Sequence, residues 1–104
     1  MRTALTLAFV LAGAPAMAAS ADPTTGAQIA KTECASCHAI GRDVEAKSPD
    51  PKAPRFIDVA KMTSTTELSL KVFLRSSHRN MPNIILSREE IDSVASYILG
   101  LGGK

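Results

Sequence analysis

Two cysteines and a histidine within five residues constrain this chain more than any other feature. The stretch reads Cys34-Ala35-Ser36-Cys37-His38, with an imidazole directly after the second thiol. Thiols at this spacing can reach one edge of a porphyrin from a single helical turn. Together with the adjacent imidazole they form the signature of covalent haem attachment. The pattern predicts that Cys34 and Cys37 form thioethers with the porphyrin and that His38 is the proximal iron ligand.

Two other interpretations of these residues agree less well with the rest of the chain. A redox dithiol or disulfide, with His38 lowering a thiol pKa, belongs in a thioredoxin-like site. Such a site needs a preceding strand and a βαβ pattern, and neither is visible in the sequence. A zinc site would have to use Cys34, Cys37, His38 and His78, which lack the paired spacing of the common zinc folds.

The N-terminal segment has the pattern of a secretory signal. A basic start precedes an apolar run at residues 4–11, and a small-residue cleavage pattern ends at Ala18. The apolar run is far shorter than the roughly 20 residues that span a bilayer. We therefore expect a cleaved signal peptide at residues 1–18. Residues 19–104 are expected to form one exported, periplasmic domain without a membrane span.

Both cysteines of the chain lie in the proposed haem motif. No disulfide is therefore available to stabilise so small a domain. A covalently held apolar disc would supply buried surface that a short chain provides poorly on its own. We expect the apoprotein to be poorly folded.

The first half of the domain is predicted to be a helix followed by a long loop. Asp22 is a good N-cap and Pro23 suits the first helical position, so a helix is expected from here to about Ser36. Residues 39–54 contain several prolines and are expected to form a loop that covers one side of the haem. A short helical turn should follow at residues 54–60.

Two Ser-x-x-Glu capping boxes predict the remaining helices. The box at residues 64–67 should begin a helix that ends near Ser77, with Lys71 and Arg75 in solvent. The box at residues 87–90 should begin the last helix, which the terminal glycines end. The expected buried face of that helix follows the helical template and consists of Ile91, Val94, Ala95, Ile98 and Leu99.

The second axial ligand of the iron is predicted to be Met81. Met81 precedes Pro82, which directs it away from helical geometry, and it lies in a loop between two expected helices. Met62 lies just before a helix cap and is expected to be a core or surface filler. His78 is the alternative ligand, or otherwise an imidazole near the haem edge. The pair of His38 and Met81 suits electron transfer, because a neutral sulfur ligand favours Fe(II).

The charges are nearly balanced overall but unevenly distributed. The formal net charge is +2, whereas residues 52–88 carry seven basic against two acidic side chains. This basic section can orient a small protein toward an acidic partner, although ordinary solvated faces would give the same count. The chain has one tyrosine and no nucleic-acid-binding motif, which argues against nucleic-acid binding. Paired carboxylates, a catalytic Ser/His/Asp group and a phosphate-binding glycine loop are also missing.

The chain resembles a class I c-type cytochrome of the small bacterial, periplasmic monohaem type. This resemblance implies an all-α cytochrome c fold, in which three main helices and a short helix surround one covalently bound haem c. Nearly the whole expected domain takes part in the resemblance, which is carried by Gly26, Cys34-Ala35-Ser36-Cys37-His38, Pro54-Arg55-Phe56, Asn80-Met81-Pro82 and Tyr97.

The resemblance also implies particular roles for residues outside the haem motif. Gly26 and Tyr97 are expected to lie where the first and last helices cross. Pro54 is expected to offer its carbonyl to the imidazole N–H of His38 and so to belong to the cofactor-binding residues. The chain departs from the family in Ile29, where many relatives have an aromatic residue. It also lacks a tryptophan for the haem propionates, which leaves Arg55, Arg75 or Arg79 as their expected partners.

The sequence therefore predicts a monomeric single-haem electron carrier and not an enzyme. Its partners would be redox proteins (a dehydrogenase, reductase or oxidase) that dock at an exposed haem edge. Two alternatives remain open at this stage. One is a subunit bound permanently to a dehydrogenase or reductase complex, with residues 83–86 as a docking patch. The other is a gas-binding or peroxidatic haem protein, which requires Met81 to be absent from the iron or easily displaced.

Overall fold

The structure is a computed structural model that describes residues 3–13, 21–76, 81–82 and 84–104. Within these ranges the regular structure is helical and no strand occurs, so the all-α expectation is confirmed. In chain order the elements are α1 (Pro23–Ile29), a π-helix (Ala30–Cys34), α2 (Phe56–Lys61), α3 (Glu67–Arg75) and α4 (Arg88–Leu101).

Helix α1 begins at the predicted cap, but its continuation differs from the prediction. Asp22 accepts a hydrogen bond of 2.9 Å from the backbone N–H of Thr24, and this bond lowers the pKa of the Asp22 carboxyl group. The helix was expected to continue to about Ser36. Instead it widens into the π-helix, in which the N–H of Ala35 donates to the carbonyl of Ala30 at 3.0 Å.

The capping box of α3 lies two residues beyond the predicted one. Thr66 is the N-cap, and its hydroxyl accepts from the N–H of Ser69 at 3.1 Å. The hydroxyl of Ser69 in turn accepts from the N–H of Thr66 at 2.8 Å. A Ser64–Glu67 box was therefore the wrong choice, because Thr66 and Ser69 form the reciprocal pair of hydrogen bonds two residues later.

Helix α4 follows its prediction at the start and extends slightly beyond it at the end. Ser87 caps the helix by accepting from the N–H of Glu90 at 3.1 Å. Gly100 lies inside the helix, although it was expected to end it, and Gly102 is the C-cap. Gly103 then adopts a φ of 73°, a left-handed conformation that favours glycine.

The core forms along α4, which packs against α1, α2 and α3. Val94 and Ala95 are fully buried at its centre. Gly26 of α1 lies directly against α4, because a Cβ there would collide with the carbonyl of Ser93 and lie 2.9 Å from the Cβ of Tyr97. The close crossing expected at Gly26 and Tyr97 is therefore present.

The N-terminal segment at residues 3–13 has no regular structure, and its apolar side chains are exposed, Phe9 at 87%. In the part of the chain that the structure describes, no helix is long and apolar enough to cross a membrane.

Candidate haem site

Cys34 is buried and Cys37 is half-buried, and both are free thiols. Burial, together with the neighbouring Glu33 carboxylate, raises the pKa of the Cys34 thiol to about 11. A reactive redox dithiol needs the opposite shift, toward a stabilised thiolate. The environment of Cys34 therefore argues against the thioredoxin-like interpretation.

The π-helix ends in a tight turn that presents His38. The backbone N–H groups of Cys37 and His38 both donate to the carbonyl of Cys34, at 3.2 and 2.9 Å. Single π turns inside helices are often found at functional sites. Here the wider turn changes the direction in which Cys34 leaves the helix, compared with an uninterrupted α-helix.

The imidazole of His38 is oriented by Pro54 and Phe56, which lie at the far end of the long loop. Its Nδ1 lies 2.7 Å from the carbonyl oxygen of Pro54. A carbonyl oxygen only accepts, so Nδ1 carries the proton and Nε2 is left to bind a metal. The ring of Phe56 lies 5.1 Å from the imidazole, centre to centre, at 48°.

Hydrogen bonds close the long loop on itself and join it to the haem motif. The N–H of Asp50 donates to the carbonyl of Cys37 at 3.1 Å, and the N–H of Phe56 donates to the carbonyl of Ala39 at 2.9 Å. The N–H of Ala39 also donates to the hydroxyl of Ser48 at 3.1 Å. The loop thus closes on the residues around His38.

The last helix is connected to the same region through a partly buried hydrogen bond. The phenol of Tyr97 donates a hydrogen bond of 2.6 Å to the carbonyl of Ile40. Tyr97 therefore has a second role beside its contact with Gly26, because it connects α4 to the chain two residues beyond His38.

Met81 faces the same apolar pocket as Cys34, although the two are far apart in sequence. Leu74 of α3 and Leu86, just before α4, also line this pocket. Met81 itself is half-buried. The described residues that line the pocket are Cys34, Leu74, Ser76, Met81, Pro82, Ile84 and Leu86.

The other candidate axial ligands are Met62 and His78. Met62, predicted to be a core or surface filler, is 54% exposed, which agrees with the surface alternative. His78, the alternative ligand, lies outside the described residues, as do Arg79 and Asn80. In the described ranges, no group of three or more His, Cys, Asp or Glu side chains could hold a metal ion.

Several basic side chains of residues 52–88 are already paired within the chain. Lys71 was expected to stay in solvent, but it lies 2.7 Å from Glu67 and 3.2 Å from Asp92. Arg55 contacts Asp58 at 2.7 Å. These ion pairs reduce the number of free cations that the sequence suggested.

The residues present fit a covalently bound haem. The site combines two thiols, one of them in the wall of an apolar pocket, with a thioether in the same wall. It also provides an imidazole whose Nδ1 is occupied by a carbonyl, which is the usual arrangement of a metal-binding histidine. This donor set and the all-α fold define a haem protein of the c type.

Comparisons with known proteins agree with this class. Residues 21–98 match the family model described as "Cytochrome C oxidase, cbb3-type, subunit III". The protein "Cytochrome c-552" of Bradyrhizobium diazoefficiens is 36% identical over 92 residues, which cover 88% of this chain and 86% of that protein. No solved structure matches the chain. The chain belongs to the family of c-type cytochromes.

Family membership confirms the broad functional prediction: the protein is a haem electron carrier with a covalently bound c-type haem. The individual ligand residues stay predictions. Sequence reasoning missed the π turn and the roles of Ser48 and Asp50. The Ser48-Pro49-Asp50 stretch indicated a loop, but no local signal pointed to its partners Cys37 and Ala39.

Proposed function

We propose that the protein carries single electrons with a haem attached through Cys34 and Cys37 and an iron coordinated by His38 and Met81. The haem iron supplies the one-electron chemistry, by alternating between Fe(III) and Fe(II). Pro54 holds the imidazole by accepting its Nδ1 proton. The observation that carries the proposal is that Cys34 and Met81 lie in the wall of one apolar pocket.

The absorption spectrum of the oxidised holoprotein tests the ligand assignment. We expect the weak charge-transfer band of sulfur bound to ferric haem, and we expect it to disappear in Met81→Ala. Met62→Ala is the matched control, since Met62 is more than half exposed. Binding of carbon monoxide by the unmodified reduced protein would instead support an open iron and the gas-binding or peroxidatic function.

We also propose that the protein is exported, with residues 1–18 removed as a signal peptide. The exposed apolar side chains at residues 3–13 support this division, because a segment of the folded domain would bury them. N-terminal sequencing of the holoprotein from a periplasmic extract is expected to begin at Ala19. A mature chain that begins at Met1 would contradict the proposal.

The electron partners are proposed to be redox proteins with acidic docking surfaces. Arg75 and Arg88 are exposed and stand at the two ends of the segment that carries Met81. Oxidation of the reduced holoprotein by ferricyanide, an anionic probe, should slow as ionic strength rises. Arg75→Gln should weaken this dependence more than Lys71→Gln, because Lys71 is already paired with Glu67 and Asp92.

A second proposal concerns assembly, since the matching family model is described as an oxidase subunit. An oxidase is therefore a favoured electron acceptor. A free monomeric carrier should elute at the size of its own chain from a native extract. Co-elution with a larger complex would favour the permanently bound subunit.

A further inference from the structure

Arg55 lies between the two residues that contact His38. The carbonyl of Pro54 is 2.7 Å from Nδ1 of the imidazole, and the ring of Phe56 packs beside it. Arg55 is the N-cap residue of α2, with an extended backbone at φ −68° and ψ 141°. Because the three residues are consecutive, any rotation of the Arg55 backbone moves both contacts.

The guanidinium of Arg55 is fixed on one side by the first turn of α2. Nε donates to Asp58 Oδ2 at 2.7 Å, and Nη2 donates to Oδ1 at 2.9 Å. This bidentate arrangement is the strong form of a charged hydrogen bond. The bond to Asp58 raises the pKa of Arg55, and the bond to Arg55 lowers the pKa of Asp58.

On its other side the guanidinium holds the long loop. Nη1 donates to the carbonyl of Val44 and, at 3.4 Å, to the carbonyl of Ala46. The side chain of Arg55 is only 27% exposed. The guanidinium nitrogens therefore donate to acceptors within the chain. This does not favour Arg55 as a partner of the haem propionates, a role that the sequence left open.

We propose that Arg55 is a positioning residue for the proximal histidine: it clamps residues 44–46 to α2 and so holds the Pro54 carbonyl on Nδ1 of His38. The proposal rests on the proposed role of His38 as an iron ligand. A firm Nδ1–H···O bond makes the other ring nitrogen a stronger donor, which stabilises Fe(III). The clamp should therefore lower the reduction potential.

The test compares Arg55→Lys with the unmodified holoprotein. Lysine keeps the positive charge but cannot form the bidentate bond and reach the loop carbonyls at once. We expect a higher reduction potential. By NMR of the reduced holoprotein, we expect the Nδ1 proton of His38 to exchange with solvent about three- to tenfold faster, as for the loss of about one net hydrogen bond. Arg75→Lys, the same change at an exposed site, should alter neither quantity.

Two further variants separate geometry from charge. Arg55→Gln combined with Asp58→Asn leaves the net charge unchanged, so its potential should rise as in Arg55→Lys. Asp58→Asn alone weakens the clamp from one side only, and it covers the case in which Arg55→Lys fails to fold. We expect its Nδ1 exchange to be faster than in the unmodified protein, but slower than in the double variant.

The outcomes distinguish the clamp from the proposed function. If Arg55→Lys or Asp58→Asn leaves both the potential and the Nδ1 exchange unchanged in a normal holoprotein, the clamp is overturned and His38 ligation stands. If the unmodified holoprotein shows no histidine-bound iron in its spectrum, the proposed function fails before any variant is considered.

Discussion

On the histidine side of the site, residues 37–56, directional hydrogen bonds join the haem motif to the long loop. On the methionine side, formed by Met81, Leu74, Ile84 and Leu86, the described contacts line an apolar pocket. Hydrogen bonds specify one orientation, whereas apolar contacts are non-directional. Changes on the histidine side should therefore alter the geometry of a retained ligand. Changes on the methionine side should alter how often the sulfur occupies its position.

The largest effect is expected from loss of the haem, which both sides share. Cys34→Ala combined with Cys37→Ala should abolish covalent haem and, with it, the cooperative fold, because the short chain loses its main source of buried surface. Far-UV circular dichroism and thermal melting measure this. Ser36→Ala, an exposed change between the two cysteines, is the control. A sharp melting transition in the double variant would show that the two sides assemble without haem.

A large effect is also expected where α1 crosses α4. Gly26→Ala places a methyl group against the Ser93 carbonyl, and overpacking of this kind costs about 3 kcal/mol at the upper end of its range. Denaturant unfolding of the holoprotein measures this loss. Gly41→Ala is the control, since nothing lies within 4 Å of the corresponding Cβ. Equal stabilities for the two variants would contradict the close crossing.

The methionine side should respond to the loss of apolar surface. Leu74→Ala removes part of the pocket wall and is expected to cost about 1 to 2 kcal/mol, below the range for a fully buried leucine. It should also increase carbon monoxide binding, because Met81 is less well enclosed. Leu68→Ala on the same helix is the control, with a side chain that is 72% exposed. Unchanged carbon monoxide binding would mean that Leu74 does not help to retain the sulfur.

On the histidine side, loss of a single hydroxyl group should have a smaller effect on stability. Tyr97→Phe removes the bond to the Ile40 carbonyl and should cost about 1 kcal/mol of unfolding free energy. We expect no increase in carbon monoxide binding, in contrast to Leu74→Ala. An increase would show that the two sides are coupled through α4.

The smallest effect is expected at the two ion pairs of Lys71, one within α3 and one between α3 and α4. Lys71→Gln removes the contacts with Glu67 and Asp92 and should lower the melting temperature by only about 1 to 2 °C at low ionic strength. The difference should disappear at about 1 M salt, where exposed charges are screened. A difference that persists in high salt would indicate that the aliphatic stem of Lys71 contributes through packing.

Local sequence signals predicted the helices well and their details less well. Asp22 and Ser87 were identified as caps, because capping depends on residues within one turn. The start of α3 was assigned to Ser64 and not to Thr66, because a serine at the third helical position is not part of the Ser-x-x-Glu pattern. The π turn at Ala30–Cys34 had no local signal, because its residues are compatible with an ordinary α-helix.

By itself the sequence determined the haem motif at Cys34–His38 and the class of chemistry, because neighbouring residues specify covalent attachment and an axial imidazole. Only the tertiary structure decided what surrounds that motif. The contact of Pro54 with His38 was implied by a family resemblance. The hydrogen-bond partners of Ser48 and Arg55 are defined only in the folded loop. Each of these contacts joins groups that are separated along the chain, so the partner of a given N–H or carbonyl depends on the packed positions of both segments.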